Sequence, residues 1–230
     1  MTEPTISDNI AKLLERVRLA AQKSQRDKAT VKVLAVSKTR PCEAIRTAHE
    51  CGLSEFGENY LQEALEKIEE LSDLELTWHF IGPIQSNKCK LIAENFDWVH
   101  SVDRAKTARI LSEQRPTHMP PLQICIQVNI SREYSKSGVS LEELPFLAKE
   151  LHRLPGITVR GLMAIPAPAD DFEYQCGEFA RLRTAMENLK DIVPEMDTLS
   201  MGMSQDMEAA IAEGSTVVRI GTDIFGPRNK

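Results

Sequence analysis

The sequence predicts an α/β chain folded as a single (β/α)8 barrel with one additional N-terminal helix. Three observations carry that expectation. Short apolar or β-branched runs alternate with helix-period segments eight times along the chain. Several of these runs are continuously apolar, as strands covered on both faces are. The 230 residues also fit a fold whose usual size is ~250 and whose lower end is ~200 residues. One domain over 1–230 follows, with a leading helix at 7–26 and eight βα units at 31–226. A doubly wound open sheet would place G-x-G-x-x-G after its first strand, and none is present there.

The leading helix is read from Ile10, Leu13, Leu14, Val17 and Leu19 at near-helical spacing, with Ser7 or Asp8 available as its N-cap. The first four units are VKVLAVSK with PCEAIRTAHECG, SEFGEN with YLQEALEKIEEL, TWHFIG with NKCKLIAEN, and DWVHSVD with RAKTARILSEQ. QICIQVNI with LEELPFLAKEL and ITVRGLMAIP with FEYQCGEFARLRTAMENL continue the pattern, followed by TLSMGMS with QDMEAAIAEG. VVRIGTDIFG supplies the eighth strand. The Pro-rich stretches RPTHMPP and AIPAPADD read as loops beside strands, because the alternation runs through both.

A formal net charge of −6 with scattered lysines and arginines argues against nucleic acid as a partner. The five cysteines are odd in number and form no C-x-x-C pair, so neither a disulfide framework nor a metal site is expected. No window approaches the ~18 continuous apolar residues of a membrane span, and the N-terminus has no signal-peptide core. The expectation is a cytoplasmic protein that contacts no membrane.

Barrels of this kind place their site at the C-terminal ends of the strands. Lys38 stands where the first strand meets its loop. By position it reads either as a lysine snorkelling into solvent or as a desolvated, nucleophilic amine. The seventh strand leads into Gly202, Met203 and Ser204, where Ser204 could cap the next helix or offer its hydroxyl to an anion. The eighth leads into Gly221 and Thr222. Loops after strands 7 and 8 commonly hold a phosphate in barrels, although a turn glycine and a capping serine are ordinary at such places. An amine facing a phosphate cup suggests a phosphorylated carbonyl cofactor, and pyridoxal 5′-phosphate (PLP) fits.

The strings VLAVSKT, FGENYLQE, WHFIGPIQSNK, SKSG after NIS, GLMAIP, LSMGMSQDMEAAI and VRIGTDIFG resemble the pyridoxal phosphate homeostasis protein family, also called the proline synthetase co-transcribed homologues. The resemblance covers nearly the whole chain and implies an alanine racemase-like barrel domain. It implies that Lys38 is the Schiff-base lysine and that Ser204, Gly221 and Thr222 are the phosphate ligands. Arg219, on the same face of its strand as Gly221, resembles the residue that meets the pyridine nitrogen. Asn59 and His79 are expected at other strand ends around the ring, with His79 equally readable as a satisfied core histidine, and Met163 is expected to pack beneath the ring. The family often has lysine two places after the Schiff-base lysine; here that residue is Arg40, which cannot form an imine. Lys136 in SKSG reads as a solvated loop lysine or as a secondary cofactor site.

The resemblance to alanine racemase raises a racemase reading. That enzyme needs a second domain and a catalytic tyrosine, whereas here four residues follow Gly226, and Tyr60, Tyr134 and Tyr174 carry no recognisable base motif. An always-protonated guanidinium at the pyridine nitrogen would also leave that nitrogen an unprotonated acceptor and the ring a poor electron sink, although alanine racemase itself tolerates an arginine there. The expected function is a non-catalytic PLP-binding protein, with no catalytic residue and no metal, that buffers, carries or delivers the cofactor and influences amino-acid and 2-keto-acid pools. A small PLP-dependent enzyme acting on amino acids and a sugar-phosphate barrel enzyme are the alternatives. The expected partners are PLP and PLP-dependent apo-enzymes, and the expected state is a monomer.

Overall fold

In the computed structural model, which describes residues 4–131, 133 and 136–227, eight parallel strands close into a barrel in sequence order, β1 pairing with β8. The strands are β1 Lys32–Val36, β2 Glu55–Glu58, β3 Thr77–Phe80, β4 Trp98–Val102, β5 Leu122–Gln127, β6 Ile157–Met163, β7 Thr198–Ser200 and β8 Val217–Ile220. Helix α1 (Ile6–Lys23) precedes them, and α2 (Cys42–Glu50), α3 (Leu61–Glu70), α4 (Cys89–Asn95) and α5 (Ala105–Gln114) follow the first four strands. The others are α6 (Leu144–Leu151), α7 (Phe172–Leu189), α8 (Met207–Ala212) and the single turn α9 (Thr222–Phe225).

Period-two alternation sorts side chains between two environments. Phe56 on β2 and Trp78 on β3 pack outward with ring centroids 6.0 Å apart, and Phe80 meets Phe96 edge-on at 5.3 Å. This layer between barrel and helices is the hydrophobic core. The inward residues are more polar: His79, His100, Ser200 and Arg219 are all buried and hydrogen-bonded to one another across the barrel.

Helix α1 buries Ile10, Leu13, Val17, Ala20 and Ala21 against the ring beside α2, α8 and α9. Its cap differs from the sequence expectation. Thr5 is the N-cap, and Asp8 sits at N3, where its carboxylate accepts from Thr5 N, so the two form a capping box. Ser7 lies inside the first turn. All five cysteines are free. Among the described residues no helix is long and apolar enough to cross a membrane, and no cluster of His, Cys, Asp and Glu is placed to hold a metal ion.

Candidate functional site

A cleft of about 630 Å3 opens at the C-terminal mouth of the barrel. Half-buried Lys38, just beyond β1, forms one side of it. Opposite stand Ser204 in the loop after β7, Gly221 at the end of β8 and Thr222 at the start of α9. Arg219 and Met163 form its floor and Asn59 lines it beyond β2. Seven of the eight residues expected from the sequence thus share one cleft.

His79 does not line it. It is the third residue of a four-residue strand, turned inward between outward-facing Trp78 and Phe80, and it lies below the mouth. There its Nε2 meets Glu55 Oε2 at 2.6 Å and its Nδ1 meets His100 Nε2 at 2.9 Å, so it is a satisfied interior histidine. A second expectation is also corrected: Ser204 does not cap α8. The N-cap position belongs to Asp206, whose carboxylate accepts from Met203 N at 2.6 Å, and α8 begins only at Met207.

The loops are shaped by local constraints. Gly202 adopts φ +96°, and a Cβ there would lie 2.6 Å from Ala210 Cβ, so a side chain would push α8 away from the turn. Gly82 allows the β3 loop to close on the Asn59 backbone, since a Cβ would fall 2.2 Å from Asn59 O. At Gly221, by contrast, a Cβ would meet Val36 at ordinary contact distances of 3.4 and 3.5 Å and φ is not positive. The protein's own packing therefore does not demand glycine there, whereas a ligand approaching the backbone would.

Arg219 is wholly buried, and burial pushes its pKa down to about 10, with Asp206 opposing. It still carries its charge at neutral pH. Three of its five N–H donors are engaged: Nη1 donates to Ser200 O (2.6 Å) and Ser200 Oγ (2.8 Å), and Nη2 donates to Ala164 O (3.0 Å). Burial raises the Asp206 carboxyl. Asn59 Oδ1 is buried without a hydrogen-bond partner among the described residues. An amine, a buried guanidinium, hydroxyl-bearing loops, an unpaired polar atom and a glycine not required by packing fit a phosphorylated aromatic aldehyde such as PLP.

Three features were not read from the sequence. Arg16 of α1 lines the cleft, donating to Ser204 O (3.1 Å), Glu208 Oε1 (2.9 Å) and Asp223 Oδ2 (2.5 Å), so the leading helix fastens both loops of the cup. Behind Lys38, Lys67 Nζ donates to Ser37 O (2.8 Å), Glu58 Oε1 (2.8 Å) and Glu63 Oε1 (2.5 Å). Its signal in the sequence is a lysine on the apolar stripe of a helix, in line with Ala64 and Leu71, four residues after a glutamate. The third is the interior chain joining Glu55 to Arg219. Arg40 is not among the residues lining the cleft; it donates to Gly226 O and Pro227 O, with its guanidinium over the Phe225 ring. Lys136 lies at the rim, tied to Glu133 (2.6 Å) and Pro166 O (3.2 Å). Tyr134 falls outside the described residues.

Residues 9–229 match the family described as "Alanine racemase, N-terminal domain". The chain is 60% identical over 225 residues to the pyridoxal phosphate homeostasis protein of Pseudomonas aeruginosa, covering 98% of this chain and 96% of that one. It is 49% identical over 227 residues to the Escherichia coli protein of the same name, with 97% of each covered. The PipY protein of Synechococcus elongatus, solved with PLP bound, superposes with a TM-score of 0.83 at 36% identity, covering 96% of this chain and all of that one. Alanine racemase of Corynebacterium glutamicum shares the fold at a TM-score of 0.69 and 18% identity, over 96% of this chain and 59% of the enzyme.

Proposed function

The chain belongs to the pyridoxal phosphate homeostasis protein family, and from that premise we propose that it binds PLP in the cleft at the barrel mouth and buffers, carries or delivers it, thereby influencing amino-acid and 2-keto-acid pools. The observation that carries this reading is the meeting of Lys38 with Ser204, Gly221, Thr222 and Arg219 in one cleft. When bound, PLP supplies an aldehyde that condenses with a lysine amine, a C=N bond replacing C=O with loss of water. Lys38 would provide the amine, and Ser204 and Thr222 would offer hydroxyls to the phosphate. The first amides of α9, which no carbonyl of the same helix can pair, lie beside them. Arg219 would present a donor to the ring nitrogen, Met163 would pack against the ring, and Asn59 would offer its unpaired amide oxygen.

The relatives are named for homeostasis of the cofactor, not for a reaction. This chain is proposed to be non-catalytic. A guanidinium has no lone pair to accept a proton and leaves the ring nitrogen a bare acceptor. No tyrosine or histidine among the described residues lines the cleft as a second base. A cytoplasmic monomer that serves PLP-dependent apo-enzymes completes the proposal.

The test is borohydride reduction of one portion of the PLP-loaded protein followed by peptide mapping, with a second, unreduced portion exposed to L-amino acids in deuterated water. A pyridoxyl mass on Lys38, its loss in Lys38→Ala, and no turnover approaching ~1 s⁻¹ are expected. A pyridoxyl mass on another lysine with Lys38 unmodified overturns the site. Rapid inversion or decarboxylation of any amino acid overturns the carrier role.

A further inference from the structure

A continuous line of hydrogen bonds runs through the barrel from the cleft floor to the opposite face. Arg219 Nη1 donates to Ser200 Oγ (2.8 Å), Ser200 Oγ meets His100 Nδ1 (2.7 Å), His100 Nε2 meets His79 Nδ1 (2.9 Å), and His79 Nε2 meets Glu55 Oε2 (2.6 Å). Glu55 also accepts from Lys32 (2.7 Å) and lines a groove on the N-terminal face. We propose that Ser200, His100, His79 and Glu55 form a one-way relay that fixes the orientation of Arg219, and are thus positioning residues for the cofactor although none of them lines the cleft. The role of Arg219 at the ring nitrogen rests on the function proposed above.

The direction follows from donor accounting. Arginine has no acceptor, so Ser200 Oγ must accept from it and is free to donate its own proton to His100 Nδ1. His100 then carries its proton on Nε2 and donates to His79 Nδ1. His79 likewise carries its proton on Nε2 and donates to the Glu55 carboxylate. A guanidinium at one end and a carboxylate at the other impose the same sense, and every proton in the line has an acceptor.

One added proton reverses it. His79 would donate from both nitrogens, His100 would donate to Ser200, and the Ser200 hydroxyl proton would lose its acceptor in wholly buried space. The other charged or titratable groups around the line are Lys32 and Asp97 near His79, Arg160 stacked over Trp98 at 5.3 Å, and Cys125 and Asp206 near Arg219. Trp98 stacks on His79 at 5.6 Å with ring planes 11° apart, holding the imidazole in the plane the relay needs.

The experiment combines imidazole ¹⁵N NMR on the cofactor-free protein with PLP titration of variants. Both histidines should show protonated Nε2 and bare Nδ1 at neutral pH and still at about pH 6.5, where an ordinary histidine is half charged. Glu55→Gln, whose amide oxygen accepts the same proton, should keep that pattern. Ser200→Ala and His100→Leu should weaken PLP binding about tenfold, the equivalent of one hydrogen bond to a charged group, and should shift the ¹⁵N resonance of the PLP ring nitrogen. The Lys38 adduct should still form in both. A charged or Nδ1-protonated imidazole at neutral pH overturns the relay, as do both variants with wild-type affinity and ring-nitrogen shift. If the wild-type protein binds no PLP, the proposed function fails, while the imidazole signals still decide the direction of the relay.

Discussion

Lys38 sits in a backbone that other residues hold in place. Thr39, immediately after it, adopts φ 63°, a left-handed conformation that non-glycine residues seldom take. Its N–H donates to Glu63 Oε1 at 2.6 Å, while the carbonyl before Lys38, Ser37 O, accepts from Lys67 Nζ. Glu58 is fully buried; burial raises its carboxyl pKa, opposed chiefly by the charge of Lys67. Glu58 Oε1 accepts from Lys67 and from Ser37 Oγ (2.6 Å). Removing one partner of such a pair leaves a buried charge uncompensated, which costs about 3 to 5 kcal/mol. Lys67→Met should therefore lower stability by about that amount in urea titrations, and adding Glu58→Gln should restore part of it, because a neutral amide needs no countercharge. Lys67→Met within ~1 kcal/mol of wild type would show that the pair does not brace the Lys38 loop.

At the scale of elements, α1 belongs to the site as much as the barrel loops do. Its apolar face docks on the ring and its Arg16 joins the loop after β7 to the turn after β8. Arg16→Ala should reduce affinity for PLP about tenfold while leaving affinity for pyridoxal, which lacks the phosphate, nearly unchanged. Its salt bridges are part-exposed, so stability should change by less than ~1 kcal/mol. Equal losses for both ligands in a titration would remove Arg16 from the phosphate cup. The helix itself was legible, because its apolar spacing is local. Its docking was not, since Arg16 and Ser204 are 188 positions apart and only barrel closure brings them together. The strand ends were legible for the same local reason, and Lys38, Ser204, Gly221 and Thr222 follow from them. His79 shows the limit. Alternation between Trp78 and Phe80 turns it inward, but its placement below the mouth depends on His100, 21 positions away, and through it on Ser200, a further 100 away.

For the molecule as a whole, closure leaves no edge to the eight-stranded sheet among the described residues and separates an apolar layer outside the barrel from a polar line within it. That interior makes stability depend on pH. Burial lowers the pKa of His79 and His100 below the ordinary 6.5, well below it for His100, where the charge of Arg219 acts in the same direction. The unfolded chain thus binds protons below pH 6.5 that the fold refuses. The stabilisation from neutral imidazoles is present above pH 6.5 and is lost as pH falls below it. Two such groups set a limiting slope of ~2.7 kcal/mol per pH unit. Glu55 continues the trend further into acid. Burial opposes its ionisation, but hydrogen bonds from His79 and Lys32 overcome this and hold it at about 2, so its contribution is lost as pH falls from the ordinary 4.5 toward that value. Glu58 and Asp206, raised by burial, act in the opposite sense, because the fold takes up their protons before the unfolded chain does. The imidazoles titrate first on acidification. Unfolding free energies from urea titrations between pH 7.5 and 5.5 should hold steady above pH 6.5 and then fall by about 1 to 3 kcal/mol, the midpoint falling with them. His100→Leu, with one of the two imidazoles gone, should show a shallower fall. A wild-type midpoint that is flat or rising across this interval would mean that the interior histidines accept protons in the fold, contrary to a relay of neutral rings.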